Sequence, residues 1–262
     1  MHMPSKMPLL FVGHGSPTNA IEKNDFTETW RKLAKKFPKP KAIVCISAHW
    51  LREGTGVLHV KKPKTIHDFY GFPPELYKQK YSAPGSLELA EKIQKKVKSV
   101  SISLDKEWGL DHGTWSVLTH MYPLATIPTI QLSLDYQLTP EKIYQVGKEL
   151  SFLREEKVLL VGSGNVVHNL MRMNTIAKPH AWARAFDEFV KTSLENREDK
   201  KLIQYEHDPS AQLAHPTNDH FLPLLYVLGA ADKNEKPSFF NEKIVYGSIS
   251  MRGVAFGLPA KK

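Results

Sequence analysis

The stretch Pro8-Leu9-Leu10-Phe11-Val12-Gly13-His14 is an apolar run that ends in a glycine turn carrying a histidine. The same arrangement recurs at residues 42–49, AIVCISAH, and at residues 158–168, VLLVGSGNVVH. Continuous apolar runs of this length, bounded by Pro and Gly, predict buried β-strands. In open α/β sheets, ligands bind just beyond the carboxyl ends of the strands. We therefore expect His14, His49 and His168 to face one common site.

Predicted helices alternate with these strands, which indicates an α/β fold. Apolar spacing and capping residues predict helices at about residues 25–37, 86–97 and 180–195, a short helix that follows the turn at 108–115 and ends at Met121, a helix that starts at 139–142, and a last helix opened by the segment 215–225. Shorter strands are predicted at about 56–60, 100–104, 128–134 and 243–251. This order favours a sandwich with a central, mostly parallel or mixed sheet and helices on both faces. Without a linker or repeat, residues 1–262 are predicted to form one domain, with a core at about 8–251 and short termini prone to disorder.

Composition excludes several functional classes. The chain has 262 residues, of which 41% are hydrophobic and 24% are charged, as in ordinary globular proteins. No run approaches the roughly 18 apolar residues of a membrane span, and the N-terminus lacks a signal-peptide pattern. We therefore expect no membrane partner and a cytoplasmic location.

The net charge is +9, but the lysines are scattered over predicted amphipathic helices. Solvated helix faces explain them best, and no zinc-finger, RNP or helix-turn-helix pattern supports a nucleic-acid partner. The single cysteine, Cys45, lies in a predicted strand, where a buried, inert thiol is expected. One cysteine allows neither an internal disulfide nor a thiolate zinc site, so any metal must bind His and carboxylates.

Five histidines lie in turns of small residues, namely His14, His49, His112, His168 and His220. One such histidine is usually a hydrogen-bonded structural group, but five at element ends suggest a metal. The loop at 63–85, rich in Pro, Gly and aromatic residues, is predicted to cover a small-molecule pocket through His67, Phe69 and Tyr70. His215 precedes a proline and is expected either to cap the following helix or to line the pocket.

Other catalytic patterns are absent from the sequence. There is no Gly-x-Ser-x-Gly elbow, no phosphate loop and no His-Glu-x-x-His. The residues therefore favour one metal ion on scattered histidines, with further histidines nearby for proton transfer.

A set of ordered motifs carries a family resemblance. They are Gly13-His14-Gly15-Ser16-Pro17, Ser47-Ala48-His49-Trp50, Asp111-His112-Gly113, Gly164-Asn165-Val166-Val167-His168-Asn169 and Pro216-Thr217-x-x-His220. Over residues 8–251 the chain resembles the class III extradiol ring-cleavage dioxygenases, in particular their 4,5-DOPA dioxygenase branch. Each motif alone is weak, but the ordered set is specific.

The resemblance implies a role for each matched histidine. His14 and His49 match metal ligands, and His220 matches the third ligand position, which related enzymes fill with glutamate. His168 matches the acid/base group, and His112 a histidine that contacts substrate or O₂. The implied substrates are a catechol and O₂, and the implied product is a muconic semialdehyde.

The three-histidine set leaves the identity of the divalent metal open. Fe(II) is expected for ring cleavage, whereas Zn(II) suits imidazole ligands, with His168 as a fourth ligand in a zinc form. Two other functions stay open: a zinc-dependent hydrolase on the same scaffold and a non-catalytic metal- or ligand-binding protein. The sequence also leaves open the physiological catechol and the oligomeric state.

Overall fold

The computed structural model describes residues 6–174 and 178–259. Residues 1–5 and 260–262, where disordered termini are expected, lie outside this range. The strands are β1 (Leu9–Gly13), β2 (Ala42–Arg52), β3 (Thr55–Leu58), β4 (Ile102–Asp105), β5 (Thr129–Asp135), β6 (Val158–Gly164), β7 (Ser238–Phe240), β8 (Ile244–Val245), β9 (Ile249–Ser250) and β10 (Gly253–Phe256).

Helices connect most of these strands. They are α1 (Asp25–Leu33), α2 (Pro74–Tyr77), α3 (Leu87–Lys96), α4 (His112–Met121), α5 (Pro140–Leu150), α6 (Phe152–Glu155), α7 (Ala181–Glu195), α8 (Asp199–Ile203), α9 (Ala211–Ala214) and α10 (Leu222–Ala230). Several begin where the sequence predicts, because Ser86 caps α3 and Thr139, followed by a proline, caps α5.

The main sheet is mixed and has eight strands in the order β4-β3-β5-β2-β6-β1-β10-β7. Its centre, β5-β2-β6-β1, is parallel, while β3 pairs with β5, and β10 with β1 and β7, in antiparallel fashion. Every residue of β1, β5 and β6 is buried. Strands buried on both faces are typical of α/β sheets covered by helices on each side, as the sequence predicts.

Two adjacent residues of β6 show which helices lie on opposite faces. A Cβ atom on Gly162 would come within 2.6 Å of the Pro223 carbonyl oxygen, so α10 packs directly on this face. The next residue, Ser163, points the other way and donates to the Gly113 carbonyl of α4. Successive strand residues face opposite sides of a sheet, so α10 and α4 enclose the end of β6.

The C-terminal part of the sheet differs from the prediction. The single strand predicted at 243–251 is wrong, because β8 and β9 form a small antiparallel hairpin there. Tyr246 and Gly247 both have positive φ and turn the chain back on itself. The core also continues past residue 251, since β10 (Gly253–Phe256) pairs with β1 and is fully buried.

Other expectations agree with the structure. Cys45 is a free, buried thiol, and burial raises its pKa. Within residues 6–174 and 178–259, every helix is too short or too polar to cross a membrane. The lysines at 32, 35, 36, 39 and 41 are all exposed.

Candidate metal centre

The five turn histidines come from five different parts of the fold. His14 directly follows β1, His49 lies in β2, His112 is the first residue of α4, His168 forms an isolated bridge with Ile249, and His220 lies two residues before α10. His49 is in a segment where the pairing of β2 with β5 shifts register between Ile46 and Leu51.

The structure brings these side chains together. His14 Nε2 lies 3.1 Å from His49 Nε2. The ring centroids of His14 and His220 are 5.3 Å apart, and those of His49 and His112 are 3.9 Å apart. His14, His49 and His112 each offer one nitrogen, and these three atoms lie within 4.8 Å of one another, which is a spacing that can hold a metal ion.

Ser163 fixes which nitrogen of His14 carries the proton. The Ser163 hydroxyl donates to the Gly113 carbonyl oxygen at 2.5 Å, so its oxygen accepts from His14 Nδ1 at 3.0 Å. Nδ1 therefore carries the hydrogen and Nε2 keeps a free lone pair. A neutral imidazole in this tautomer is the form that binds a metal through Nε2.

One carboxylate, Asp68, contacts two of the histidines. His112 Nδ1 donates to Asp68 Oδ2 at 2.8 Å, and the His112 backbone N–H donates to Oδ1 at 2.9 Å. His49 Nδ1 lies 3.4 Å from the same Oδ2. Burial raises the pKa of Asp68, but the contacts with His112 and His49 outweigh burial, so its pKa is lowered overall.

His220 is held by both its backbone and its ring. Its carbonyl accepts from the Asn165 N–H at 2.9 Å, and a Cβ on Gly164 would collide with the same carbonyl. The glycine therefore lets the β6 turn approach His220 closely. His220 Nδ1 donates to Asp219, whereas Nε2 is buried and has no hydrogen-bond partner within the described part of the chain.

His168 lies flat against His220. Their ring centroids are 3.5 Å apart and their planes differ by 5°. The backbone N–H of His168 donates to the Ala214 carbonyl, which holds the turn in place. Burial lowers the pKa of His168 to about 4.

Asp111 positions the first turn of α4. It caps the helix by accepting from the Thr114 N–H, and its carboxylate also accepts from Ser47 and Gln131. Burial is the main cause that raises its pKa. These bonds connect α4 to β2 and β5, so His112 is presented beside His49 by a buried network.

Burial also governs the charge of the ligand candidates. It lowers the pKa of His49 to about 3 and the pKa values of His14 and His220 well below the usual value. Neighbouring histidines add to this effect. The imidazoles are therefore neutral near pH 7, as metal binding requires.

The predicted pocket residues have different surroundings. Phe69 stands edge-on to His112 with centroids 5.5 Å apart, and His67 bonds the Gln79 carbonyl. Tyr70 is 90% exposed. His215 is buried against aromatic rings that include Phe221, and its Nε2 donates to the Val166 carbonyl oxygen.

A cavity opens beside the cluster. It has a volume of about 640 Å³, and its walls include Leu51, Tyr205, His215 and Asp219. Because Asp219 both lines the cavity and bonds His220, the cavity reaches the edge of the histidine cluster. This volume lies in the range of small-molecule pockets, about 300–1,000 Å³.

The residues that orient the histidines are not predictable from local sequence. Asp68 and Ser163 contact them only through tertiary structure, and the motif that contains Asp111 does not by itself indicate its role. A carboxylate between two aromatic residues of a long loop is the only signal at Asp68. Nothing local marks Ser163, because its partner is 149 residues away.

Known proteins with similar sequences identify the family of this chain. Residues 2–257 match the family described as the catalytic LigB subunit of aromatic ring-opening dioxygenase. The chain belongs to this family. It is 46% identical to a 4,5-DOPA dioxygenase extradiol of Escherichia coli K12, over 97% of this chain and 96% of that protein. It is 41% identical to a protein of the same name from Beta vulgaris, over 94% and 95% of the two chains.

Solved structures agree with this assignment. The crystal structure of an uncharacterized protein from Escherichia coli K12 superposes with a TM-score of 0.84 at 42% identity, covering 95% of this chain and 99% of that one. The predicted resemblance to extradiol dioxygenases and the predicted α/β fold are thus confirmed. The chain is an enzyme of the ring-opening dioxygenase family with a three-histidine cluster that can hold one metal ion.

Proposed function

We propose that this LigB-family enzyme cleaves a catechol ring with O₂, by DOPA-like 4,5-cleavage, to give a muconic semialdehyde. One observation carries the proposal: Nδ1 of His14, His112 and His220 is bonded by protein side chains, while Nε2 of His14 lies 3.1 Å from Nε2 of His49. The names of the relatives support a catechol as the substrate class.

His14, His49 and His220 are the proposed metal ligands. The 3.1 Å between Nε2 of His14 and His49 is close to the roughly 3.3 Å expected between two nitrogens that bind one metal at about 2.05 Å with tetrahedral angles. His220 Nε2 is a buried polar atom without a partner among residues 6–174 and 178–259, which is costly unless something binds it. The donor set therefore fits a divalent ion.

Fe(II) is the proposed working metal, and Zn(II) the expected occupant of protein purified in air. When bound, Fe(II) supplies the Lewis acidity and the redox chemistry that ring opening with O₂ needs. Three neutral imidazoles leave the full charge of the ion available to a catecholate.

His112 is the competing third ligand, because its nitrogen lies within 4.8 Å of those of His14 and His49. The unpartnered Nε2 favours His220 instead. His112 is then free to contact the substrate or O₂ and to assist proton transfer.

His168 is the proposed proton-transfer group, and its stacking on His220 supports this role. An imidazole binds a metal in its own ring plane, and the planes of His168 and His220 are nearly parallel and up to 3.5 Å apart. The lone pairs of the two rings therefore lie in separate, nearly parallel planes. His168 can accept the catechol proton and return it later, whereas a fourth-ligand role requires its ring to turn.

Phe69 is the aromatic residue best placed to contact the substrate ring, because it stands against His112. Roles for His67, Tyr70 and His215 in the substrate pocket stay predictions. The cavity beside Asp219 is the proposed space for the catechol side chain.

The test is anaerobic loading with Fe(II), followed by a catechol panel that includes L-DOPA. We expect O₂ uptake and a yellow product in equal amounts. Zinc-loaded protein is the control and should take up no O₂. Hydrolysis of an ester by the zinc form, without O₂ uptake by the iron form, would contradict the proposal and favour a zinc hydrolase.

A further inference from the structure

The loop that carries Asp68 is docked onto the start of α4. The Ile66 carbonyl accepts from the Trp115 indole N–H at 2.8 Å, and Asp68 Oδ1 accepts from the His112 backbone N–H at 2.9 Å. Phe69 packs edge-on against His112 and at a tilt against Trp115. The carboxylate is therefore held on both sides in a fixed orientation.

The second carboxylate oxygen, Oδ2, faces two imidazoles at once. It lies 2.8 Å from His112 Nδ1 and 3.4 Å from His49 Nδ1. An ionised carboxylate can only accept hydrogen bonds, so His112 Nδ1, which is hydrogen-bonded to Oδ2, must carry hydrogen. The 3.4 Å contact with His49 Nδ1 is longer than a normal hydrogen bond, but the negative charge of Oδ2 favours hydrogen on that nitrogen too. Both Nε2 atoms then keep their lone pairs.

We propose that Asp68 is a positioning residue whose single oxygen sets the tautomers of His49 and His112 together. His49 Nε2 is thereby ready to bind the metal, and His112 Nε2 is ready to accept a hydrogen bond or proton from the substrate. The metal-binding role of His49 in this inference rests on the proposed function. The tautomers themselves are a property of the metal-free protein.

The other two ligand histidines do not depend on Asp68. Ser163 holds Nδ1 of His14, and Asp219 holds Nδ1 of His220. The tautomers of His14 and His220 should therefore stay unchanged when Asp68 is substituted. Carboxylate partners of metal-binding histidines commonly affect metal affinity or activity by about 10- to 100-fold.

Asp68→Asn is the decisive variant, because asparagine has the same shape. Its oxygen can still accept from the His112 backbone N–H, but its NH₂ group then faces both Nδ1 atoms as a donor. This drives both rings towards the Nε2–H tautomer, which blocks the lone pairs that the site needs. Turning the amide over instead sets the NH₂ group against the His112 N–H, which breaks the docking of the loop.

Asp68→Ala removes the acceptor without adding a donor. We expect a mixture of tautomers in His49 and His112 and a smaller loss of metal affinity than in Asp68→Asn. An isosteric substitution such as Asp68→Asn usually has a smaller effect than a substitution by alanine. Here we expect the larger loss of metal affinity in Asp68→Asn. Asp105→Asn is the matched control, because the Asp105 side chain is 18% exposed against 17% for Asp68 and bonds Arg52, away from the cluster.

The experiment records imidazole ¹⁵N chemical shifts of metal-free protein and measures zinc affinity by competition with a chelator. Wild-type protein and Asp105→Asn should show Nδ1–H at His14, His49, His112 and His220. Asp68→Asn should change only His49 and His112 and weaken zinc binding by about 10- to 100-fold. With Fe(II), its kcat should fall more than KM rises.

Two results would overturn the proposal: Nδ1–H tautomers retained in Asp68→Asn, or zinc affinity at least as high as in Asp68→Ala. If Asp68→Asn does not fold, Asp68→Ala decides, because pure Nδ1–H tautomers there would also overturn it. Wild-type protein that shows the expected tautomers but no ring cleavage would contradict the proposed function and leave the role of Asp68 in place.

Discussion

Two groups of buried histidines in this protein differ in which ring nitrogen the fold uses. In the cluster, Nδ1 of His14 and His220 is bonded by protein side chains, whereas Nε2 of His14 lies against His49 and Nε2 of His220 has no hydrogen-bond partner among the described residues. Outside the cluster the pattern is reversed. Nε2 of His120 bonds the Asn19 carbonyl, and Nε2 of His215 bonds the Val166 carbonyl.

Burial does not separate the two groups. His120 and His215 are 7% and 6% exposed, while His220 is 5% exposed. Burial lowers the pKa in both groups as well. A backbone carbonyl on Nε2 uses up that nitrogen for structure, whereas a partner on Nδ1 leaves Nε2 for a ligand. The partner of each ring nitrogen, rather than the burial of the ring, therefore marks the site.

The largest effect should come from removing a cluster ligand. We expect His14→Ala and His49→Ala to lose bound metal and to lower Fe(II)-dependent ring cleavage by about 1,000-fold or more, since a catalytic metal contributes several kcal/mol. Metal content by mass spectrometry and O₂ uptake measure this. His120→Ala is the matched control and should keep its metal. Full metal occupancy in both His14→Ala and His49→Ala would contradict the division into metal-binding and structural histidines.

A smaller effect should separate His168 from its stacked neighbour. We expect His168→Gln to keep its metal and to lower kcat by about 100-fold or more, because general acid–base catalysis contributes at least this much. Steady-state O₂ uptake, paired with metal analysis of the same sample, is the measurement. Metal loss in proportion to the loss of activity would instead make His168 a ligand, and an unchanged kcat would remove it from the reaction.

The smallest effect concerns the stability of the protein and His215, a buried histidine outside the cluster. Burial lowers the pKa of His215 to about 4, against about 6.5 in the unfolded chain. Between these values the unfolded state binds the extra proton, so the free energy of unfolding is constant above pH 6.5 and falls as the pH drops towards 4. This one group contributes a loss of about 2 kcal/mol between pH 7 and pH 5.

His215→Phe removes that contribution, and the ring suits a site packed against Phe186 and Phe221. Urea unfolding of metal-free protein at pH 7 and pH 5 should therefore show a smaller loss of stability in the variant than in the wild type. Equal losses in the two proteins would show that His215 does not titrate on unfolding.

The sequence predicts the centre of the fold better than its edges. β1 and β6 are continuous apolar runs because both of their faces are covered by helices. The edge strand β7 has three residues and is partly exposed, so it leaves no apolar run to detect. The sequence predicts one strand where β8 and β9 form a hairpin, because the turn between them depends on positive φ at Tyr246. Tyrosine rarely adopts positive φ, so the sequence does not indicate this turn.

The site is predictable in its histidines but not in what orients them. His14 and His49 are visible because they end apolar runs, and the family resemblance adds His220. Asp68 lies 44 residues from His112 in sequence, and only the docking of the 63–85 loop onto α4 brings them together. Hydrogen bonds across such separations depend on packing, which a single sequence does not show.

The most direct test of the metal centre is a crystal structure of Fe(II)-loaded protein, prepared without O₂, with anomalous scattering recorded at the iron edge. The arrangement of ring nitrogens predicts one peak, about 2.1 Å from Nε2 of His14, His49 and His220, and none beside His120 or His215. A peak bound through His112 in place of His220, or located away from the cluster, would contradict it.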